Sequence, residues 1–410
     1  MASEAQEIVV TGMGVVTPAG CSLDTFWTAL VAGQSTASTL DGPEFAPLPV
    51  RLGCQVSGLD TVDALPAKRL RRLDPFARFG LAAAVAAHQD AGAPTPPPER
   101  AAVLVGNAVG GRATSDRETR NYVERGAAAV NPLMPLMTMP NAAAATIAMQ
   151  LGWRGPAYCL ATTCASGADA IGQAMALLRT GRMDVVVAGG CESTLSPVTL
   201  AAFANLNALS VRNEDPARAS RPFDSARDGF VMGEGAGFVV LERARDARAR
   251  GVRGRAVLAG YAATTDAHHL SMPAPDGIGA IAAIRGALAD ASLTPGDIAH
   301  VNAHGTSTPL NDRIEAAALR EVFGDRVPPV TAAKGVTGHL IGAAGAVELI
   351  ATVLAVEYGL VPPTANHQET EPGMEIDVVH GRPRQLAPGP ALSESFGFGG
   401  HNACLVVVPR

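Results

Sequence analysis

The stretch Ala161-Thr162-Thr163-Cys164-Ala165-Ser166-Gly167-Ala168-Asp169-Ala170 joins a short apolar, strand-like segment to a helical one. Small residues let the backbone turn tightly here, and apolar residues then recur three and four positions apart, at Ala168, Ile171, Met175 and Leu178. That spacing predicts a helix with one buried face, with Cys164 at its buried N-terminus. The N–H groups and dipole of a helix start favour a thiolate, the nucleophilic form of cysteine. The same residue could equally be a small buried hydrophobe.

The composition is that of a large folded protein. The chain has 410 residues, more than one compact core usually holds, and 47% of them are hydrophobic. Its uninterrupted apolar runs are too short to cross a bilayer and no signal-peptide pattern opens it, so we expect a cytoplasmic protein. A net charge of −6 disfavours nucleic acid as a partner. The six cysteines are scattered without a disulfide framework or metal-ligand spacing.

Strand-like and helix-like segments alternate along the chain, and the second half repeats the scheme of the first. Ala256–Thr265 echoes Ile8–Thr17, since each has an apolar strand, a glycine and a second short apolar run. Leu241–Arg255 is charged and arginine-rich, which predicts a solvated connecting helix. We therefore predict an α/β protein of two similar halves, residues 1–252 and 253–410.

Three further segments carry groups that loops at strand ends commonly present to substrates. They span residues 301–309, 333–342 and 395–402. The first contains His304 and three hydroxyl side chains, the second contains Lys334 and His339, and the third is a glycine turn. Lys334 is one of only two lysines in a chain that otherwise uses arginine. We infer that a compact ammonium group is specifically needed at that position.

Each of these residues taken alone has a more modest interpretation. A histidine beside a strand often only hydrogen-bonds locally. A zinc site of Cys164, His304 and His339 would need partner ligands at finger-like or protease-like spacing, which the sequence lacks, so we predict no metal. A serine hydrolase would need Gly-x-Ser-x-Gly, which is absent as well.

Taken together, the segments resemble the elongating β-ketoacyl-acyl-carrier-protein synthases, which have the thiolase fold. The resemblance runs from Ile8 to the C-terminus. Its motifs are Thr-Thr-Cys-Ala-Ser-Gly at 162–167, Arg-Pro-Phe-Asp at 221–224, Asp-Gly-Phe-Val-Met-Gly-Glu-Gly-Ala-Gly at 228–237, Asn-Ala-His-Gly-Thr-Ser-Thr-Pro at 302–309, Thr-Gly-His-Leu-Ile-Gly-Ala-Ala-Gly at 337–345 and Phe-Gly-Phe-Gly-Gly-His-Asn at 396–402. It implies two βαβαβ-type halves in a layered α-β-α-β-α arrangement.

The resemblance implies a decarboxylative Claisen condensation. The cysteine matching Cys164 would accept an acyl chain as a thioester, and the carbanion from a decarboxylated, carrier-bound malonyl group would attack it. The histidines matching His304 and His339 would hold the negative charge on the malonyl thioester oxygen through hydrogen bonds. The N–H groups of Cys164 and Phe398 would form a second oxyanion hole at the acyl thioester.

Supporting residues follow from the same resemblance. Lys334, Asp312 and Glu315 match a buried charge network near the histidines, which would orient them and control their pKa values. Thr306 and Thr308 match hydroxyls that bind the phosphopantetheine arm of an acyl carrier protein, although either could be a turn cap. No free cofactor is implied, because the substrates are carried on that arm.

The acyl pocket and the carrier-docking surface are also implied by resemblance. The matching pocket positions are Val109, Met134, Met137, Phe203 and Phe398, of which Phe398 also matches a gate residue. The docking candidates form a basic cluster of Lys68, Arg69, Arg71 and Arg72. This cluster could steer an acidic acyl carrier protein, or could be an ordinary solvated helix face.

Departures from the family pattern bear on the pathway rather than on the chemistry. Gly335 replaces a usual serine, Glu394 replaces a usual asparagine, and residues 141–145 lack a common glycine. Residues 126–130 are neutral, where some members place basic docking residues. A specialised polyketide or unusual acyl pathway is therefore an alternative to fatty-acid elongation.

Three functions remain distinct at this point. The first is a homodimeric enzyme that extends fatty acyl chains, and the second is the ketosynthase subunit of a type II polyketide synthase paired with a chain-length subunit. The third is the non-catalytic chain-length partner itself, which Cys164 and both histidines disfavour. A thiolase is less favoured too, because the pair of histidines suits decarboxylation.

Overall fold

The computed structural model describes residues 7–59, 70 and 72–410. Its centre is a sheet of ten described strands in the order β10-β9-β13-β14-β8-β1-β7-β6-β4-β5. The described strands of the chain are β1 (Ile8–Val16), β2 (Ser38–Thr39), β3 (Leu52–Gly53), β4 (Ala101–Gly106), β5 (Ala157–Leu160), β6 (Val185–Glu192), β7 (Gly235–Arg243), β8 (Ala256–Thr265), β9 (His300–Asn302), β10 (Val330–Thr331), β11 (Leu360–Val361), β12 (Arg384–Gln385), β13 (Ala391–Gly397) and β14 (His401–Pro409).

Helices cover both faces of this sheet. Those in the described part of the chain are α1 (Leu23–Ala32), α2 (Pro75–Asp90), α3 (Arg112–Arg125), α4 (Met134–Thr138), α5 (Ala142–Leu151), α6 (Ser166–Arg179), α7 (Pro197–Asn205), α8 (Ala244–Ala249), α9 (Ile278–Ala291), α10 (Pro309–Phe323), α11 (Lys334–Thr337) and α12 (Ala344–Tyr358). The helix predicted to follow Cys164 is α6, and a single 3₁₀ turn of residues Thr163–Ala165 leads into it.

The sheet consists of two halves with the same internal order. The first half reads β1-β7-β6-β4-β5 and the second reads β8-β14-β13-β9-β10, so each strand of one half has a counterpart in the other. The halves join where β1 pairs antiparallel with β8, with Ile8 opposite Leu258. These are the two strands whose sequences echo one another. The predicted division at residue 252 stays a prediction.

The layers stack as α-β-α-β-α. Helices α2 and α5 pack on the outer face of the first half-sheet, and α9 and α10 pack on the outer face of the second. Helices α6 and α12 lie between the half-sheets and share one core with both. A Cβ atom on Gly167 would come within 2.9 Å of the Ala346 nitrogen, so only glycine lets these two helices approach this closely.

One described helix, Ile341–Tyr358, is long and apolar enough to cross a membrane, but 89% of it is buried inside the protein, as in a core helix. It is not an uninterrupted apolar run, because Glu348 and Thr352 interrupt it.

The expectation that Leu241–Arg255 is one solvated helix was wrong, because Leu241 and Arg243 belong to the buried strand β7.

Ion pairs explain charged residues in the segment Leu241–Arg255. The buried Arg243 guanidinium forms ion pairs with Asp184 and with Asp246, the latter in the six-residue helix α8. Charged residues that looked solvent-facing therefore hold a strand end to its neighbours.

Candidate active site

Cys164 lies at the junction between β5 and α6, in a turn that is held from several sides. The Ser166 hydroxyl donates to the Thr163 carbonyl at 2.6 Å and accepts from the Thr162 N–H at 2.9 Å. Asp169, one turn into α6, accepts hydrogen bonds from the hydroxyls of Thr162 (2.5 Å) and Tyr261 (2.7 Å). The turn is therefore fixed to both the helix and strand β8 before any substrate binds.

The two predicted histidines meet at this cysteine. His339 Nε2 lies 3.1 Å from the Cys164 sulfur, and the His304 and His339 ring centroids are 5.3 Å apart at an interplanar angle of 84°. The Ile341 N–H donates to His339 Nδ1 at 3.2 Å, and the Lys334 ammonium lies 3.1 Å from His304 Nδ1. Because both Nδ1 atoms accept, both neutral rings carry their proton on Nε2.

Both rings are neutral for a physical reason. Burial lowers the pKa of His304 and of His339 well below the ordinary histidine value, and the positive charge of Lys334 lowers both further. Two neutral Nε2–H donors held in place can stabilise a developing oxyanion without reorganisation, as an oxyanion hole requires.

Burial also dominates the pKa of Cys164. It raises the pKa of the Cys164 thiol to about 12, while the charge of Lys334 and a hydrogen bond from the Phe398 N–H act in the opposite direction. Burial thus outweighs the helix-start effect expected from the sequence. The buried site therefore favours the thiol of Cys164 over the thiolate.

The ion-pair partner of Lys334 is Glu348, which the sequence analysis missed. The ammonium forms an ion pair with the Glu348 carboxylate and donates to the His304 carbonyl at 2.6 Å. Burial raises the pKa of Glu348 to about 7, and Lys334 opposes that rise. A lone acid within the apolar run of α12 was the available signal, since a buried charge needs a partner.

Asp312 and Glu315 are buried close to His304, and their proposed part in orienting the histidines stays a prediction. Glu315 accepts the backbone N–H groups of His304 (2.6 Å) and Gly305 (2.8 Å). Asp312 accepts the Phe223 N–H at 2.8 Å and lies 3.4 Å from the Arg227 guanidinium. The two carboxylates therefore fix the loops around His304, whereas Glu348 neutralises Lys334.

A cavity of about 490 Å³ opens onto Cys164, His304 and His339. Thr306 and Thr308 line it as well, with their hydroxyl oxygens 2.9 Å apart. This arrangement can hold a polar, extended group that leads from the surface to the cysteine. The apolar residues in its lining include Leu206, Phe230, Met272, Leu310 and Phe396.

The glycine turn packs directly against Cys164 and its neighbour Thr163. The Thr163 hydroxyl donates to the Phe398 carbonyl at 2.8 Å, and the Phe398 N–H is directed at the Cys164 sulfur. Gly399 has φ of +81°, which favours glycine. The Phe398 ring stacks on Phe203 with a centroid distance of 6.1 Å. Phe203 thus contacts the predicted gate residue.

The remaining pocket and docking predictions are less closely connected to the site. Met137 is buried, Met134 is half-buried and Val109 is exposed, and none of them lines the cavity at Cys164. Their role in an acyl pocket stays a prediction. Of the docking candidates, Arg72 is exposed, whereas Lys68, Arg69 and Arg71 lie outside the described residues.

Cys164, His304 and His339 also have the composition of a metal site, since their ligand atoms lie within 4.8 Å of one another. Tetrahedral zinc would hold a sulfur and a nitrogen roughly 3.6 Å apart. The observed 3.1 Å between Cys164 and His339 suits a hydrogen bond instead. Both Nε2 atoms, moreover, carry protons. The geometry favours a site that works without a metal.

Comparison with known proteins places the chain among condensing enzymes. Residues 5–247 match the N-terminal domain of beta-ketoacyl synthases, and residues 255–368 match the C-terminal domain. A 3-oxoacyl-[acyl-carrier-protein] synthase 2 from Synechocystis sp. is 39% identical over 406 residues, which cover 98% of each chain.

Two solved structures are similar over 98% of this chain and 99% of theirs. The ishigamide ketosynthase/chain length factor has a TM-score of 0.91 and 31% identity. AntDE:AntF, a type II PKS acyl-carrier protein in complex with its ketosynthase bound to the hexaketide, has a TM-score of 0.90 and 30% identity.

Proposed function

The chain belongs to the beta-ketoacyl synthase family, and we propose that its Cys164 site extends an acyl chain by two carbons through condensation with malonyl-acyl carrier protein. It is an acyltransferase of the elongating type. The observation that carries the proposal is the convergence of one thiol with two neutral Nε2–H donors on a single cavity.

Acyl loading is a thioester exchange. The Cys164 sulfur forms a bond to the acyl carbon, the bond from that carbon to the carrier's sulfur breaks, and the cysteine proton leaves with the carrier thiol. The N–H groups of Cys164 and Phe398 would hold the oxyanion of the tetrahedral intermediate. The Nε2–H group of His339 donates a hydrogen bond to the Cys164 sulfur. His339 therefore stabilises negative charge on that sulfur and does not remove the thiol proton.

Decarboxylation and condensation then use the histidines. The bond between the malonyl methylene and its carboxylate breaks, carbon dioxide leaves, and the electron pair becomes an enolate whose oxygen His304 and His339 hold. The enolate carbon attacks the Cys164 thioester, a carbon–carbon bond forms and the carbon–sulfur bond breaks. The released cysteine sulfur takes up one proton. The thioester bonds of both substrates supply the free energy for the condensation, so no free cofactor takes part.

Thr306 and Thr308 are proposed to hold the phosphopantetheine arm of the carrier. Both line the cavity on the route to Cys164, and their paired hydroxyls can donate to and accept from an amide-rich arm. Lys334 is proposed to orient His304, because its ammonium contacts both the ring nitrogen and the carbonyl of that residue.

We also propose that the protein works in the cytoplasm as a dimer formed along β5. This strand ends the ten-stranded sheet, and Tyr158 on it is 56% exposed. An open edge strand with exposed apolar side chains is a template for pairing with another chain. Leu136, Met139 and Met149 are further exposed apolar residues of the same half.

The partner in that dimer separates two pathways. Similarity to a 3-oxoacyl-[acyl-carrier-protein] synthase 2 from Synechocystis sp. favours acyl-chain elongation, for which we propose a homodimer in fatty-acid synthesis. Similarity to a ketosynthase/chain length factor favours a second candidate, the catalytic subunit of a type II polyketide synthase. Cys164 and both histidines disfavour the non-catalytic partner.

Reconstitution tests the function. The purified protein is incubated with a carrier protein that bears an acyl chain and with a carrier protein that bears a malonyl group. The masses of the carrier products are then measured by mass spectrometry. We expect a 3-oxoacyl-carrier two carbons longer than the starting chain. Purification from the native host then separates the pathways, because a lone homodimer active on saturated acyl carriers would reject the heterodimeric polyketide synthase.

A further inference from the structure

Glu394 is a fully buried carboxyl in an apolar layer. Side chains alternate along β13, so that Ser395 faces α12 beside Gly345, while Glu394 faces the opposite side of the sheet. The buried apolar residues of that side include Leu392, Cys404, Val406, Ala283 and Ala316. Neither oxygen of Glu394 has a hydrogen-bond donor among the described residues. An ionised carboxylate would be costly in such surroundings.

The carboxyl group that acts on Glu394 is that of Glu315, and a hydrogen bond between the two can form only when one of them is protonated. Glu315 accepts the His304 N–H on one oxygen, and the Gly305 N–H and the Asn311 side-chain amide (3.2 Å) on the other. All these partners are donors, so Glu315 acts as an ionised acceptor. Two adjacent buried carboxylates cannot both be ionised, and the proton of the pair therefore belongs to Glu394.

We propose that Glu394 is a positioning residue for malonyl decarboxylation: as a neutral carboxylic acid it donates its O–H to Glu315, and Glu315 fixes the His304 backbone so that Nε2–H of His304 meets the substrate oxygen. This inference rests on the proposed function of the site. It assigns Glu394 no contact with substrate, since it acts through two other residues.

The surrounding charges explain why the proton stays in place. Glu315 faces Glu394 from α10 and has Asp312 as its own charged neighbour, Cys404 faces Glu394 from β14, and beyond His304 lie Lys334 and Glu348. Burial raises the pKa of Glu394 well above its ordinary value, and the negative charge of Glu315 raises it further. Alkaline ionisation would place two carboxylates together and push Glu315 away from the His304 turn.

Two variants separate positioning from bulk. Glu394→Gln keeps the size and a donating group, whereas Glu394→Met keeps only the size. Two steps are measured on each protein: acyl loading of Cys164 by intact mass, and carbon dioxide release from malonyl-carrier protein. Both are followed from neutral to alkaline pH, with the wild type as reference.

We expect the Gln variant to decarboxylate malonyl-carrier protein nearly as fast as wild type at pH 7. Above pH 7 its decarboxylation rate should fall less than that of the wild type, because its amide does not ionise. The Met variant should lose about tenfold to a hundredfold in decarboxylation, as expected when a catalytic donor is displaced by about 1 Å, with loading nearly unchanged. Full decarboxylation by the Met variant, an equal fall in both steps, or identical alkaline limbs for wild type and the Gln variant would overturn the proposal.

Should the Met variant fail to fold, the pH profiles of wild type and the Gln variant decide alone. Failure of the proposed function is distinguishable, because it would appear in the wild-type reference as absent loading and absent condensation.

Discussion

His339 Nε2 lies 3.1 Å from the Cys164 sulfur although 175 positions separate the two residues along the chain. The Ile341 N–H occupies His339 Nδ1, so the hydrogen on Nε2 points towards the sulfur. His339 is therefore a hydrogen-bond donor to Cys164, the proposed nucleophile, rather than a base that accepts its proton. The same hydrogen can serve the malonyl oxygen in the next step, once the sulfur is acylated.

Removing the nucleophile should separate the two half-reactions. Cys164→Ala is expected to abolish acyl loading, while malonyl-carrier protein still loses carbon dioxide because both histidines remain. Intact-mass spectrometry measures the loading, and carbon dioxide release measures the decarboxylation. Cys159→Ala is the matched control, since Cys159 lies in the adjacent strand β5 outside the cavity lining. Loading of the Cys164→Ala protein would refute the assignment.

His304→Ala should have the opposite effect. Loss of one oxyanion-hole donor typically lowers the rate by about 10²-fold to 10³-fold, and we expect that loss in decarboxylation. Acyl loading should change little, because its proposed oxyanion hole consists of backbone N–H groups. The two steps are measured separately in single turnovers. Equal losses in both steps would mean that His304 has a structural role instead.

Lys334 and Glu348 form a buried pair whose disruption should cost stability. Lys334→Met leaves the Glu348 carboxylate without its ion-pair partner, and breaking such a pair typically costs about 3–5 kcal/mol. The free energy of unfolding, from denaturant titration, measures this. The double variant Lys334→Met/Glu348→Met should regain most of the stability but not the activity, because His304 Nδ1 still lacks its donor.

The exposed pair Arg384–Asp377 provides the control for that experiment. Its side chains are 38% and 53% exposed, and removing it should cost less than about 1 kcal/mol. Similar losses from the buried and the exposed pair would contradict the importance given to burial.

Glu192 makes stability depend on pH in a predictable direction. Burial raises its pKa to about 8, although the Ala108 N–H at 2.8 Å and the Asn107 amide at 3.1 Å favour the charged form. The folded state holds this proton more tightly than the unfolded state, whose pKa is near the ordinary value. The contribution of Glu192 to stability is therefore complete below the ordinary value and is lost as pH rises through about 8.

The matching measurement is the melting temperature of wild type and Glu192→Gln between acidic and alkaline pH. The Gln variant should gain stability relative to wild type as pH rises, because its amide does not ionise. A difference that stays constant with pH would show that Glu192 does not titrate in this way.

The sequence predicted the parts of this protein that depend on local pattern. The helix predicted to follow Cys164 is observed as Ser166–Arg179, because the three-residue and four-residue spacing of its apolar side chains defines it. The nucleophile and both histidines came from motifs. Their common cavity could not be derived from spacing, because β13 and the central helices bring together segments from both halves of the chain.

The sequence could not show which acidic residue pairs with which basic residue. Glu348 pairs with Lys334, while Glu315 holds backbone N–H groups, and both are acids in helices of the same half. Only the packing of α12 against the site distinguishes them. Likewise, the sequence predicted a solvent-exposed Arg243, because its ion-pair partner Asp184 lies far away in the sequence.

Single-turnover mass spectrometry of Cys164 tests the central claim most directly. The wild-type protein is first incubated with acyl-carrier protein, and malonyl-carrier protein is then added. We predict a mass gain of one acyl group on Cys164, which disappears as one carbon dioxide and one 3-oxoacyl-carrier form per site. Absence of acyl mass on Cys164, or an acyl-cysteine that malonyl-carrier protein does not discharge, would contradict the account.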